Sequence, residues 1–137
     1  MPAFSSTAPR VKVLIVDDDP VVLEIVQGWL LDAGYLVSVR DQALGTAQWV
    51  AREKPDFVLL DVKMPALSGG ELTQLIRRNQ STSGTAVILH SSQDSDTLAA
   101  LAKSTGALGA LQKTSSSKLF LAGFERLVAR YRSTKTR

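Results

Sequence analysis

Val11-Lys12-Val13-Leu14-Ile15-Val16-Asp17-Asp18-Asp19-Pro20 joins a short apolar run to three acids and a proline. The run is rich in β-branched residues and too short for a free-standing helix, so it predicts a buried strand. Asp19 and Pro20 predict that a helix follows at once. Aspartate accepts hydrogen bonds from the free N–H groups of a first turn, and proline suits the first helical position. Val22, Ile25, Val26, Trp29 and Leu30 then recur at spacings of three and four, and Gly34 marks the helix end.

The alternation continues along the chain. Residues 35–39 read as a second strand and 41–53 as a second helix, with Leu44, Ala47 and Val50 on one side and a stop before Pro55. The apolar run 57–60 is a third strand, and 70–79 a third helix with Leu72, Leu75 and Ile76 inward. Residues 86–90 form a fourth strand, and 94–103 a small helix carrying Leu98 and Leu101. A weak fifth strand, diluted by glycine and alanine, lies within 106–112. Ser115, Ser116 or Ser117 can cap a last helix whose Phe120, Phe124, Leu127 and Tyr131 share a face. Strands alternating with helices imply an α/β fold: a doubly wound, five-stranded parallel sheet with right-handed crossovers and five helices on its two faces. Nearly continuous apolar strands agree with burial on both sides.

With 137 residues, 45% apolar and 21% charged, the chain suits one soluble domain with its own core. It has no cysteine, which excludes disulfides and thiolate chemistry, and one histidine, His90, which excludes multi-histidine metal sites. His90 itself is expected to be a strand side chain, and Trp29 and Trp49 packing residues. No apolar run approaches the roughly 18 residues of a membrane span. Residues 1–10 lack a basic start followed by an apolar stretch, so they read as a disordered lead-in rather than a secretory signal, and the expected location is cytoplasmic. Net charge is +3, concentrated late in Arg126, Arg130, Arg132, Lys135 and Arg137. Residues 132–137 are expected to be a solvated basic tail rather than a nucleic-acid or membrane contact.

In a parallel sheet of this kind, ligands bind beyond the carboxyl ends of the strands. The residues predicted there are Asp17, Asp18 and Asp19, then Asp61, then Ser91 and Ser92, then Gln112 and Lys113. Carboxylates gathered at one edge raise one another's pKa and call for a counter-ion. An all-oxygen donor set suits Mg²⁺ rather than zinc. Together with the Lys113 ammonium and the Ser91 hydroxyl, the arrangement fits phosphoryl transfer, in which positioning and charge neutralisation do most of the catalysis. Aspartate is a competent phosphoryl-accepting nucleophile.

These segments resemble the receiver domains of two-component response regulators, over residues 11 to about 131. The stretch 13–20 resembles that family's first acidic motif. Pro55-Asp56-Phe57-Val58-Leu59-Leu60-Asp61-Val62-Lys63-Met64-Pro65 resembles its phosphoacceptor segment, and Gly69 falls at a family glycine before the third helix. The resemblance implies a flavodoxin-like sheet of order 2-1-3-4-5. It makes Asp61 the phosphoacceptor. Asp18, Asp61 and the backbone carbonyl of Lys63 would bind Mg²⁺, with Asp17 acting through a bound water. Ser91 and Lys113 would contact the phosphoryl group, and Lys63 and Gln93 would border the path of the hydrolytic water and tune its lifetime. The implied partners are a sensor histidine kinase or phosphotransfer protein and a downstream protein target, with a phosphorylation-linked dimer as one form of signalling. No DNA-binding segment and no enzymatic turnover beyond self-phosphorylation and autodephosphorylation are expected.

Two positions depart from the family pattern. Thr114 replaces the usual proline after the strand-five lysine, and a cis bond there would cost about 3 kcal/mol, so a trans bond is expected. Ala110 replaces an aromatic residue associated with switching, which leaves a non-switching adaptor as an alternative function. A small aspartate-nucleophile phosphohydrolase is disfavoured, because Lys63 stands where those enzymes commonly carry a second aspartate.

Overall fold

The computed structural model describes residues 10–65 and 67–135, so most of the expected lead-in and the end of the basic tail lie outside the described residues. The elements are β1 (Lys12–Val16), α1 (Pro20–Asp32), β2 (Leu36–Arg40), α2 (Thr46–Glu53), β3 (Phe57–Asp61), α3 (Gly69–Arg78), β4 (Ala86–Ser91), α4 (Ser95–Thr105), β5 (Gly109–Gln112) and α5 (Ser117–Lys135). All neighbouring strands are parallel, and their order is β2-β1-β3-β4-β5. This is the doubly wound α/β sheet expected from the alternation.

Side-chain alternation divides the core in two. Val13 and Ile15, Phe57 and Leu59, and Ile88 point to the face covered by α1 and α5, where Leu23, Val26, Leu30, Phe120 and Phe124 meet them. Leu14 and Val16, Val58 and Leu60, and Val87 and Leu89 point to the other face, against Val50, Leu72, Ile76 and Ala102. β3 and β4 are buried throughout, as central strands covered on both faces should be.

The local signals act largely as expected. The Asp19 side chain caps α1 by accepting from Val21 N–H at 2.9 Å, and Gly34 follows the helix with φ +98°. Ser116 Oγ accepts from Leu119 N–H at 3.1 Å and caps α5. Other boundaries differ. α2 begins at Thr46, five residues later than the periodicity suggests. Gly45 sits in the left-handed region (φ +81°), which a continuing helix cannot accept, and the Arg40 side chain holds the loop through Leu44 O and Thr46 Oγ1. Ala43 is therefore the buried residue, and Leu44 is exposed. In α1 and α3, Val26, Leu30, Leu72 and Ile76 are buried as expected, and one position in each helix differs. Leu23 and Thr73 are buried, whereas Ile25 and Leu75 face solvent. A capping box of Ser68 and Glu71 starts α3 at Gly69.

Candidate functional site

β1 and β3 are paired in register, Val16 with Leu60, so Asp17 and Asp61 emerge together at the C-terminal edge. Their carboxylates and that of Asp18 place one oxygen each within 4.8 Å of one another. Asp17 and Asp61 are 1% and 5% exposed, while Asp18 is open to solvent. The three consecutive acids are used differently. Asp17 Oδ1 accepts from Asp19 N–H at 2.9 Å, closing a tight side-chain turn, and Asp19 caps α1. Asp18 is left free to face the outside of the cluster.

Lys113 follows β5 and reaches across the edge. Its Nζ lies 3.0 Å from Asp17 Oδ2 and 3.4 Å from Asp61 Oδ1. The sequence places Lys113 at this edge as a contact for a phosphoryl group; its pairing with the two carboxylates, closer to Asp17 than to Asp61, comes from the structure. Burial is the main influence raising the pKa of Asp61, and the charge of Asp17 adds to it. The Lys113 ammonium and the Lys63 N–H, 3.5 Å from Asp61 Oδ1, work the other way. For Lys113, burial is the largest single influence and acts to lower its pKa. Its contacts with Asp17 and Asp61 outweigh burial and hold the ammonium above its ordinary range.

One ammonium, paired with Asp17 and Asp61, set against three clustered carboxylates leaves the edge short of positive charge. Asp17 Oδ2 is buried and, although ion-paired, accepts no hydrogen bond. A buried carboxylate oxygen with lone pairs to spare, beside two more carboxylates, fits a hard cation with oxygen ligands. Asp17, Asp18 and Asp61 are the residues that could hold one.

Ser91 ends β4 and is buried at the same edge, whereas Ser92 is exposed, so the structure separates the two serines as strand counting suggests. Ser91 Oγ accepts from Gln93 N–H at 3.2 Å and donates weakly to Gln93 Oε1 at 3.5 Å. Ser91 and Gln93 thus form one unit beside the cluster, bridged to β5 by the Gln112 amide, which donates to Gln93 O at 3.1 Å. Lys63, two residues after Asp61, is exposed. Gly69 packs against this edge so closely that an added Cβ would lie 2.5 Å from Asp61 O. Thr114 follows Lys113 through a trans bond, and its Oγ1 accepts from Ser116 N–H at 3.1 Å. A hydroxyl thus shapes the loop that a proline usually shapes. Ala110 lies half-buried on β5.

A sequence model of the response regulator receiver domain matches residues 13–124. Protein PilH of Pseudomonas aeruginosa is 31% identical over 102 residues, covering 74% of this chain and 84% of PilH. The sensor protein GacS of Pseudomonas syringae is 42% identical over 86 residues, 59% of this chain, but the match spans only 9% of GacS. Among solved structures, the chemotaxis response regulator CheY4 of Vibrio cholerae superposes with a TM-score of 0.80 at 26% identity, covering 87% of this chain and 99% of that one. By the match across residues 13–124, the similarity to PilH and the shared sheet, the chain belongs to the response regulator receiver domain family.

Proposed function

We propose that this chain accepts a phosphoryl group on Asp61 from a sensor histidine kinase or phosphotransfer protein, and that it signals in the cytoplasm through protein contacts. The observation that carries the reading is the acidic edge: Asp61 is buried, 3.4 Å from the Lys113 ammonium, with Asp17 and Asp18 oxygens within 4.8 Å. Membership of the receiver family supports the same chemistry.

Asp18, Asp61 and the Lys63 carbonyl would hold Mg²⁺ directly, and Asp17 would do so through water. When bound, the ion supplies charge neutralisation for the phosphoryl oxygens. The remaining work falls to the chain. The Asp61 carboxylate attacks phosphorus, the bond from phosphorus to the donor's imidazole nitrogen breaks, and the nitrogen keeps the electron pair. The product is an acyl phosphate. Lys113 already stands between Asp17 and Asp61 and can turn to a phosphoryl oxygen. Ser91 exchanges its bond with Gln93 for one to the same group. Lys63 and Gln93 flank the acyl phosphate and set its lifetime, which the decay kinetics of a Lys63→Ala/Gln93→Ala protein would show.

A constitutive adaptor, suggested by Ala110, is not favoured, because it leaves the clustered acids without a purpose. Intact mass after treatment with Mg²⁺ and acetyl phosphate tests the choice. The wild type should gain one phosphate and Asp61→Ala none. An equal gain in both would remove Asp61 from the role, and no gain in the wild type would return the adaptor.

A further inference from the structure

Ser91 and Gln112 are register partners across β4 and β5, and Lys113 N–H donates to Ser91 O at 2.7 Å. Gln112 therefore sits between the two residues assigned to the phosphoryl group, beside Ser91 and just before Lys113. Its side chain also reaches past Ser91, and Nε2 donates to Gln93 O at 3.1 Å. The N–H of Gln93 donates to Ser91 Oγ at 3.2 Å. Both peptide units that flank the Gln93 Cα are thus anchored, one by Ser91 and one by β5, which restrains the two backbone dihedrals between them. One residue further on, Asp94 caps α4 by accepting from Thr97 N–H at 2.8 Å. The loop from β4 to α4 is thereby held at both ends.

A serine hydroxyl carries one proton. Here it points weakly at Gln93 Oε1, 3.5 Å away, while the oxygen accepts from Gln93 N–H. Turning the hydroxyl toward Asp61 takes the acceptor away from Gln93 N–H. That donor regains a protein partner only if its peptide moves, and Gln112 opposes the movement because it grips the next peptide along. Ala110 adds a reason for the connection to run through Gln112. Side chains alternate along β5, so Ala110 and Gln112 share a face, and a methyl group has no rotamer with which to answer a change at Ser91. Gln112 is the side chain on that face that is bonded to the loop.

We infer that Gln112 is a positioning residue for phosphoryl acceptance: its amide holds Gln93, and through it Ser91, in the arrangement that precedes phosphorylation, and this clasp opens as Ser91 turns to the phosphoryl group. The inference rests on Asp61 being the acceptor. The clasp restrains the reaction, so a chain without it reacts faster.

Gln112→Met keeps the length of the side chain but has no donor, which separates the hydrogen bond from packing. In the unphosphorylated full chain, Gln93 N–H should exchange with deuterium about fivefold faster in Gln112→Met than in the wild type, the worth of one hydrogen bond. With Mg²⁺ and acetyl phosphate, followed by intact mass, Gln112→Met should gain phosphate at an initial rate about fivefold higher. Gln112→Arg, which restores a donor at similar reach, should return close to the wild-type rate. In a Ser91→Ala chain, adding Gln112→Met should change the rate little, because the clasp acts through Ser91. Equal exchange at Gln93, an unchanged or lower rate in Gln112→Met, or the same acceleration without Ser91 would overturn the inference. A wild type that gains no phosphate would refute the Asp61 assignment instead, and exchange at Gln93 would then decide on the clasp by itself.

Discussion

At the scale of single residues, Asp61 and His90 are held in opposite kinds of tension. Asp61 is charged where burial and Asp17 resist its charge, so its folded-state pKa lies above the ordinary value. A group shifted in that direction stabilises the fold below its unfolded pKa, and the contribution disappears as pH rises through the folded one. At neutral pH the charge is therefore a burden, only partly relieved by Lys113. Asp61→Asn should raise the melting temperature by a few degrees at pH 7 without divalent cations, and a fall of similar size in thermal unfolding would reject this account. His90 is shifted downward, to about 4 from 6.5. The unfolded chain takes up the proton first as pH falls, so stability is full above pH 6.5, declines towards pH 4 and levels below it. The loss approaches about 3 kcal/mol. Urea unfolding at several pH values should show a flatter profile for His90→Phe than for the wild type over that window. Residue identities at the acidic edge were legible from sequence, because strand ends carry a parallel sheet's chemistry. The contact of Lys113 with Asp17 was not, since it depends on how far a flexible side chain reaches between β5 and β1.

At the scale of elements, two glycines show how closely helices approach the sheet. A Cβ on Gly69, at the start of α3, would meet backbone: Asp61 O at 2.5 Å and Val62 Cα at 2.8 Å. A Cβ on Gly123, inside α5, would meet only the tip of Leu111, Cδ2 at 2.8 Å, which can rotate away. Alanine in a helix is favoured over glycine by about 1 kcal/mol. Gly123→Ala should thus be close to neutral. Gly69→Ala should lose about 1–3 kcal/mol and slow phosphorylation by acetyl phosphate, because the displaced backbone carries Asp61. Chemical denaturation of the two variants would separate these effects, and equal stability would refute the comparison. Helix existence was readable from spacing and caps such as Asp19. Most inward positions were readable too, but Leu23 could not be told from Ile25, since α1 carries more apolar positions than one face can bury. The sheet chose Leu23 over Ile25, and Thr73 over Leu75.

At the scale of the whole molecule, a net charge of +3 coexists with a locally acidic edge, so the response to cations is local rather than global. Mg²⁺ should raise the melting temperature of the wild type. At a hundredfold excess over its dissociation constant the gain is about 2.7 kcal/mol, and Asp18→Ala should abolish most of it. An equal rise in both proteins would point to general screening. Alternating periodicity and strand-end chemistry, both local or short-range, were enough for the sequence by itself to determine the α/β class, the strands, and the acids, serine and lysine that crown them. The tertiary structure alone decided that Leu23 rather than Ile25 is buried, that one ammonium serves both Asp17 and Asp61, and that His90 opens on a cavity. Each of these depends on contacts between residues far apart in the chain, and such contacts exist only once the layers are packed.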